Sequence, residues 1–589
     1  MNKLAITIIT FLFTAIQIFG QTATCEPLLF VYSLHGQTRK YDTNFEFKND
    51  TLRISWGIER NTKWHSGDFI ILPSAIKEGN ELSYMQPVDK NSVTLKANQT
   101  FGIISRKAYK ELKDKKQFIY NGVKYKITPT AEIISALHPL IHVTDSIEGA
   151  EMWILDNPAL PIIWKMKNNP VEIDWEVKSN KEQLFSIAEE LKIMPEKSGS
   201  TYYAYNYLQW PTTPTPKGYK PFYISHYGRH GSRWIPTEDR YTAVINLFEK
   251  ENLTTLGSSV RDRLRKVYAD AKGNAGMLTR IGEEQHADIA QRMYDMYPEV
   301  FMNNNKIYAY SSIVPRCIKS MNSFTHSLLS KNERLRITTN SDKKNMSFIA
   351  YDTPQMEQLN AKTAIWRIDF EKFERNHIKP SRLIESLFVN PSNIDNPTEL
   401  MMGLYWIASN MQDTTTGLTF YDIFTNEELY NIWQSVNYRM YVCNGASPLN
   451  GGVPAKSAST LLENIIHSAD RAIKNGKESA TLRFGHDTNL MRLLTLIGFK
   501  DFTAEEVNSD NFCNIWQDYR LAPMAANLQI IFYKNSENKI LTKFLHNEKE
   551  MSLPINSDVA PYYDWDSVHT YLITQLKKPN VTTSHIPTH

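Results

Sequence analysis

The chain has 589 residues, 42% hydrophobic and 12% aromatic, too long for one ordinary core and apolar enough to fill two or three. Its 66 basic and 63 acidic residues leave a net charge of +3, which excludes a broad basic face that binds nucleic acid by charge alone. Any strong positive field must be local.

Lys3 followed by the apolar stretch Leu4 to Phe19 and the small residues of Gly20 to Ala23 reads as a signal peptide over residues 1–20. The expected setting is therefore exported: periplasmic, on the outer surface, or secreted. A retained membrane anchor is the alternative, but the stretch is short of a full span, and no later segment is apolar and long enough to cross a bilayer. Cys25 could carry a lipid, although Thr22-Ala23-Thr24 lacks the usual leucine before it. The four cysteines, Cys25, Cys317, Cys443 and Cys513, allow three pairings and leave the choice open. No Cys or His spacing suits a metal, and Pro139 between His138 and His142 spoils the one helical pair, so neither metal nor cofactor is expected.

Residues 21–179 read as a β-rich domain of unassigned role. Leu52, Ile54, Trp56 and Ile58 alternate with Arg53, Ser55 and Gly57, the period of a half-buried strand. FIYNGVKYKI, residues 118–127, predicts a hairpin with Asn121-Gly122 in a type I′ turn. Residues 180–589 change pattern to alternating strands and helices. Leu184, Ile187, Ala188 and Leu191 have helical spacing, and Phe222 to His226 form a strand candidate. Thr237 is placed to cap a helix striped by Tyr241, Val244, Ile245 and Phe248. Leu462, Ile465, Ile466, Ala469 and Ile473 line a predicted helix ending near Gly476, followed by a strand over 480–485, and 527–534 with 539–547 form a late strand pair. The fold class is α/β, with a largely helical cap over about 340–455 inserted into the sheet domain and ligands expected at the carboxyl ends of strands.

Three stretches carry chemistry. RHGSR, residues 229–233, follows a strand; Arg229 and Arg233 can fork onto one tetrahedral anion, and His230 between them can attack phosphorus. Taken alone, an exposed basic turn that binds nothing is the lesser alternative for this loop. GHDTN, residues 485–489, follows a second strand and adds His486, a further phosphate ligand, and Asp487, an acid able to protonate a leaving oxygen. Arg316 follows a third strand-like run.

Together with LTRIGEEQ at 278–285, these motifs resemble the histidine acid phosphatases, branch two of the histidine phosphatase superfamily. The stretch from Pro523 to Pro554 is similar to the corresponding part of multiple inositol polyphosphate phosphatases. The likeness spans about residues 200–555 and leaves out the β-rich domain. It implies a metal-independent phosphomonoesterase acting through a covalent phosphohistidine. On that resemblance His230 is the nucleophile, Asp487 the proton donor, and Arg229, Arg233, Arg316 and His486 the phosphate pocket. Two features depart from the relatives: Pro236 lies one residue later than in many phytases, and His486-Asp487-Thr488 replaces the His-Ala-Glu of the inositol polyphosphate branch. The expected partner is a small phosphate ester, phytate first and a sugar or general phosphomonoester second. The rival from another class is an inactive surface binding protein.

Overall fold

A computed structural model describes residues 22–578, apart from 35–36, 49, 131–133, 136–137, 146, 170, 180–183, 303–304 and 351. The expected signal peptide lies outside the described residues. The chain forms two compact units, Met1–Glu189 and Glu190–His589. Among the described residues no helix is long and apolar enough to cross a membrane, and Cys25, Cys317, Cys443 and Cys513 are all free and buried.

The first unit is built on a twelve-stranded sheet, with the helices Pro73–Glu78 and Arg106–Lys115 and a small strand pair, Glu81–Leu82 with Gln99–Thr100, beside it in the chain. One half is a meander of Leu28–Leu34, Gln37–Lys48, Thr51–Arg60 and Lys63–Ile71; the other runs from Gln117–Tyr120 to Ile173–Lys178. The halves join where Leu28–Leu34 pairs antiparallel with Ile173–Lys178. In Thr51–Arg60, Leu52, Ile54 and Trp56 are buried while Arg53 is exposed, as period-two alternation requires. Asn121 and Gly122 adopt φ of 51° and 76°, the left-handed pair of a type I′ turn. His142 and His138 go to separate partners: His142 Nε2 lies 2.8 Å from the Glu151 carboxylate, and His138 packs on Trp164.

The second unit is built on an eight-stranded mixed sheet. Its strands are β1 (Lys220–Arg229), β2 (Lys306–Ser311), β3 (Arg336–Asn340), β4 (Glu478–Gly485), β5 (Asn527–Lys534), β6 (Ile540–His546), β7 (Lys549–Met551) and β8 (Tyr562–Asp564). The order is β3-β2-β4-β1-β5-β6-β7, with β8 on β6. β3, β2, β4 and β1 are parallel, and β5 turns the sheet antiparallel. Helices cover both faces, so the central strands need apolar side chains on each: Leu528, Ile530 and Phe532 of β5 face one core, Ile531 and Tyr533 the other.

The helices that position the site are α1 (Asp239–Lys250), α2 (Arg280–Met296), α3 (Pro315–Lys331), α4 (Pro397–Asn410), α5 (Ser459–Asn475) and α6 (Asp487–Ile497). The segment between β3 and β4 carries helices and no sheet strand among its described residues. The Tyr241, Val244, Ile245 and Phe248 stripe of α1 is buried, but Thr237 does not cap the helix. Glu238 occupies that position, and the Thr237 hydroxyl is taken up by the Asp239 carboxylate. A side-chain to side-chain bond has replaced the expected bond to backbone.

Candidate active site

Three parallel strands end at one edge of the second sheet. β1 stops at Arg229, β2 at Ser311 and β4 at Gly485, and pairing of Arg229 with Gly485 and of Ser311 with Phe484 sets those ends level. His230 to Arg233 continue from β1, Arg316 lies in the first turn of α3 beyond β2, and His486 stands just before α6 beyond β4, with Asp487 as the first residue of that helix. The start of β5 closes the other side: Ala526 O accepts from Arg229 N at 2.8 Å, and Ala525 N donates to His230 O at 3.0 Å.

The RHGSR loop is no surface turn, since Arg229 is 0% and His230 2% exposed. His230 Nδ1 lies 2.9 Å from the Gly231 carbonyl oxygen. A carbonyl only accepts, so Nδ1 carries the proton and Nε2 keeps its lone pair. Burial, reinforced by Arg229, Arg316, Arg233 and His486, holds this imidazole well below its ordinary pKa. The His486 ring stands edge-on, 5.7 Å away between centroids. Burial and then Arg316 push His486 down to about 4.

Arg229 is locked in place: Nη1 donates to Ala522 O at 2.8 Å and to Thr201 O, and Nη2 sits 3.0 Å from Asp487 Oδ2. Arg233 Nη1 donates to the Tyr202 hydroxyl at 3.2 Å, with its guanidinium 4.7 Å from the centre of that ring. The Nε atoms of Arg229, Arg233 and Arg316 are all buried without a hydrogen-bond partner among the described residues. Arg316 is also a cation in the first turn of a helix, an unfavourable place until an anion arrives. Cations with spare donors and the amino ends of α3 and α6 thus surround a place for a tetrahedral anion.

Burial alone would raise the Asp487 pKa, but Arg229, His486, the Thr488 amide and Arg233 outweigh it, and the carboxyl titrates below its ordinary value. The structure therefore brings together His230, Arg229, Arg233, Arg316, His486 and Asp487.

Other residues complete this site, those of LTRIGEEQ from a motif already marked in the sequence, and Tyr202, Thr201 and Asp413 from stretches that carry no such mark. Gly231 and Gly282 face each other so closely that a Cβ on Gly231 would lie 2.4 Å from Gly282 O, and one on Gly282 2.2 Å from Ser232 O. The LTRIGEEQ stretch thus presses the start of α2 onto the loop: Thr279 N donates to Ser232 O at 2.9 Å, and Gln285 Oε1 accepts from Ser232 N at 2.8 Å. Tyr202 and Thr201 come from a 3-10 stretch, Pro195–Tyr202, that precedes β1. Asp413, in the helical insertion, accepts from Ser232 Oγ at 2.6 Å.

A family description, the histidine phosphatase superfamily (branch 2), matches residues 228–547, more than half of the chain. No curated protein matches. Among solved structures, the multiple inositol polyphosphate phosphatase of Bifidobacterium longum in complex with inositol hexasulfate is similar at 17% identity and a TM-score of 0.53, over 64% of this chain and 97% of that one. The phytase from D. castellii is similar at 17% identity and a TM-score of 0.51, over 66% of this chain and 86% of that one. At such identities the likeness to solved structures is one of fold; the family match, over more than half of the chain and across both the RHGSR loop and the His486-Asp487 pair, means that this chain belongs to branch two of the histidine phosphatase superfamily and is a phosphomonoesterase.

Proposed function

We propose that the chain is an exported phosphatase that transfers the phosphoryl group of inositol polyphosphates to His230 and then to water. His230 Nε2 attacks phosphorus, the N–P bond forms, and the P–O bond to the alcohol breaks. Arg229, Arg233, Arg316 and His486 bind the transferring oxygens, and Asp487 gives its proton to the leaving oxygen. Water then attacks phosphorus, returns a proton to Asp487 and breaks the N–P bond, freeing phosphate. The observation that carries this reading is the neutral, buried His230 with its Nε2 lone pair free beside three arginines with spare donors.

The inositol polyphosphate preference is supported by the names of the two structural neighbours and by the stretch from Pro523 to Pro554. A sugar or general phosphomonoester is the second reading, left open by His486-Asp487-Thr488, the acid motif that classical acid phytases and sugar phosphatases share in place of the His-Ala-Glu of the inositol polyphosphate branch. Rapid quenching with labelled substrate should trap acid-labile phosphate on His230, and His230→Ala should abolish turnover with the fold intact. Near-normal turnover in that variant would sink the mechanism. A hydrolysis screen across inositol, sugar and nucleotide phosphates decides the substrate class.

A further inference from the structure

Ser232 stands between the nucleophile and the second arginine of the loop, and its side chain sits in a closed network. Its hydroxyl donates to Asp413 Oδ1 at 2.6 Å and accepts from Gln285 Nε2 at 2.9 Å. Asp413 ends a short 3-10 turn, Met411–Asp413, that follows α4 in the helical insertion, and it is 0% exposed. Its Oδ2 accepts from Asn410 Nδ2 at 3.2 Å, and the same amide donates to Arg233 O at 2.7 Å. Asn410 is itself oriented by the Tyr241 hydroxyl of α1, which donates to its Oδ1 at 3.0 Å. One buried carboxylate thus holds Ser232 directly and the Arg233 main chain through a single side chain.

Both carboxylate oxygens accept hydrogen bonds, which suits the ionised form. The cations that face Asp413 are Arg233 and Arg229, both of the phosphate pocket. Its other titratable neighbours are the phenols of Tyr241 on α1 and Tyr421 in the insertion, both raised by burial. The empty pocket therefore balances three arginines against two carboxylates, Asp413 and Asp487. A tetrahedral dianion entering it adds two negative charges to a buried site in which these arginines already face two carboxylates.

We infer, on the phosphatase reading above, that Asp413 is a positioning residue: ionised, it holds the Ser232-Arg233 segment in place while the pocket is empty, and it takes up a proton when a tetrahedral dianion binds to Arg229 and Arg233. Proton uptake relieves the repulsion between the two anions, while a neutral carboxyl still accepts from Ser232. Burial pushes Asp413 up to about 7, against the pull of Ser232, Arg233, Asn410 and Arg229, which places the event near neutrality. His486 is pushed down to about 4, and His230 and Asp487 lie below their ordinary values, so none of these titrates in the same range.

Sulfate is the probe, because it stays a dianion across this range and undergoes no turnover. Calorimetry of sulfate binding to the full chain, in buffers of differing protonation heat, should show proton uptake near pH 7. Affinity should fall roughly tenfold from pH 6 to pH 8, an ordinary coupling between two sites. In Asp413→Asn the uptake near pH 7 and the pH dependence centred there should vanish, whereas proton uptake by Asp487, whose carboxyl starts below its ordinary value, stays on the acid side and is kept. Ser232→Ala removes one donor from the ionised carboxylate and should move the midpoint to higher pH. That second variant keeps the test decisive if Asp413→Asn does not fold. A flat wild-type profile, an unchanged slope in Asp413→Asn, or an unmoved midpoint in Ser232→Ala would each overturn the inference while leaving the phosphatase reading intact. A wild type that neither binds sulfate nor hydrolyses an aryl phosphate would overturn both.

Discussion

The Arg229 guanidinium sits 3.0 Å from Asp487 Oδ2, so the carboxyl that the proposed mechanism uses as proton donor is held ionised before substrate arrives. A bound dianion reverses that local field, and Asp487 gains its proton together with the substrate. The basic limb of the kcat profile should therefore belong to Asp487. Asp487→Asn should lower kcat on alkyl phosphates by about 10²–10⁴, the usual worth of a general acid. Aryl phosphates, whose leaving groups need little protonation, should lose far less; equal losses on both would mean that the proton comes from elsewhere. His230 and Asp487 are legible in the sequence because each lies within two residues of a strand's end and so lands at the sheet edge. Asp413 is not, because its bond to Ser232 joins residues 181 positions apart and no local pattern marks it.

At the level of elements, the loop is held by a contact between two glycines. The atoms a Cβ on Gly282 would meet include Ser232 O at 2.2 Å and Ser232 N at 2.8 Å, both backbone, so no rotamer change relieves the clash. Gly282→Ala should push the RHGSR loop away from α2. We expect kcat/KM to fall by at least about 100-fold, because a misplacement of about 1 Å is that costly to a positioned group. Thermal unfolding should report a loss of about 1–3 kcal/mol, the usual cost of overpacking. Wild-type kinetics in this variant would show that the loop does not depend on the contact. Strands and helices with a clean period, such as Asn527–Lys534 and the α1 stripe, can be read from sequence because burial on one or both faces dictates their composition. The cap of α1 cannot, since Thr237 had two local partners and chose the side chain over the backbone.

For the molecule as a whole, histidines set a limit on acid tolerance. His226 on β1 packs on Phe324 and Phe484, His286 on α2 packs on Phe484, and His546 ends β6. Burial pushes the first two down to about 3 and the third to about 4. In the unfolded chain each titrates near 6.5, so below that pH the unfolded state binds protons that the folded state refuses. The stability concerned is fully present above pH 6.5 and is lost as pH falls toward 3 to 4. At pH 5 each histidine costs roughly 2 kcal/mol. The Tm of the second unit should drop steeply between pH 6.5 and 4.5, and His226→Phe should flatten that slope. An unchanged slope in the variant would mean that His226 is satisfied in some other way. Acid chemistry is then bounded from below by unfolding rather than by protonation of the nucleophile.

Leu28–Leu34 lies at the middle of the first unit's sheet, between Gln37–Lys48 and Ile173–Lys178. The earliest described long strand to be synthesised therefore waits for one of the last. At roughly 5–20 residues per second, the sticky row of amides and carbonyls on the far edge of LLFVYSL stays unpaired for roughly 7–30 seconds after it emerges. Until residue 178 is made, the two meanders are separate half-sheets, each with a bare seam that a neighbouring nascent chain could join in place of its own other half.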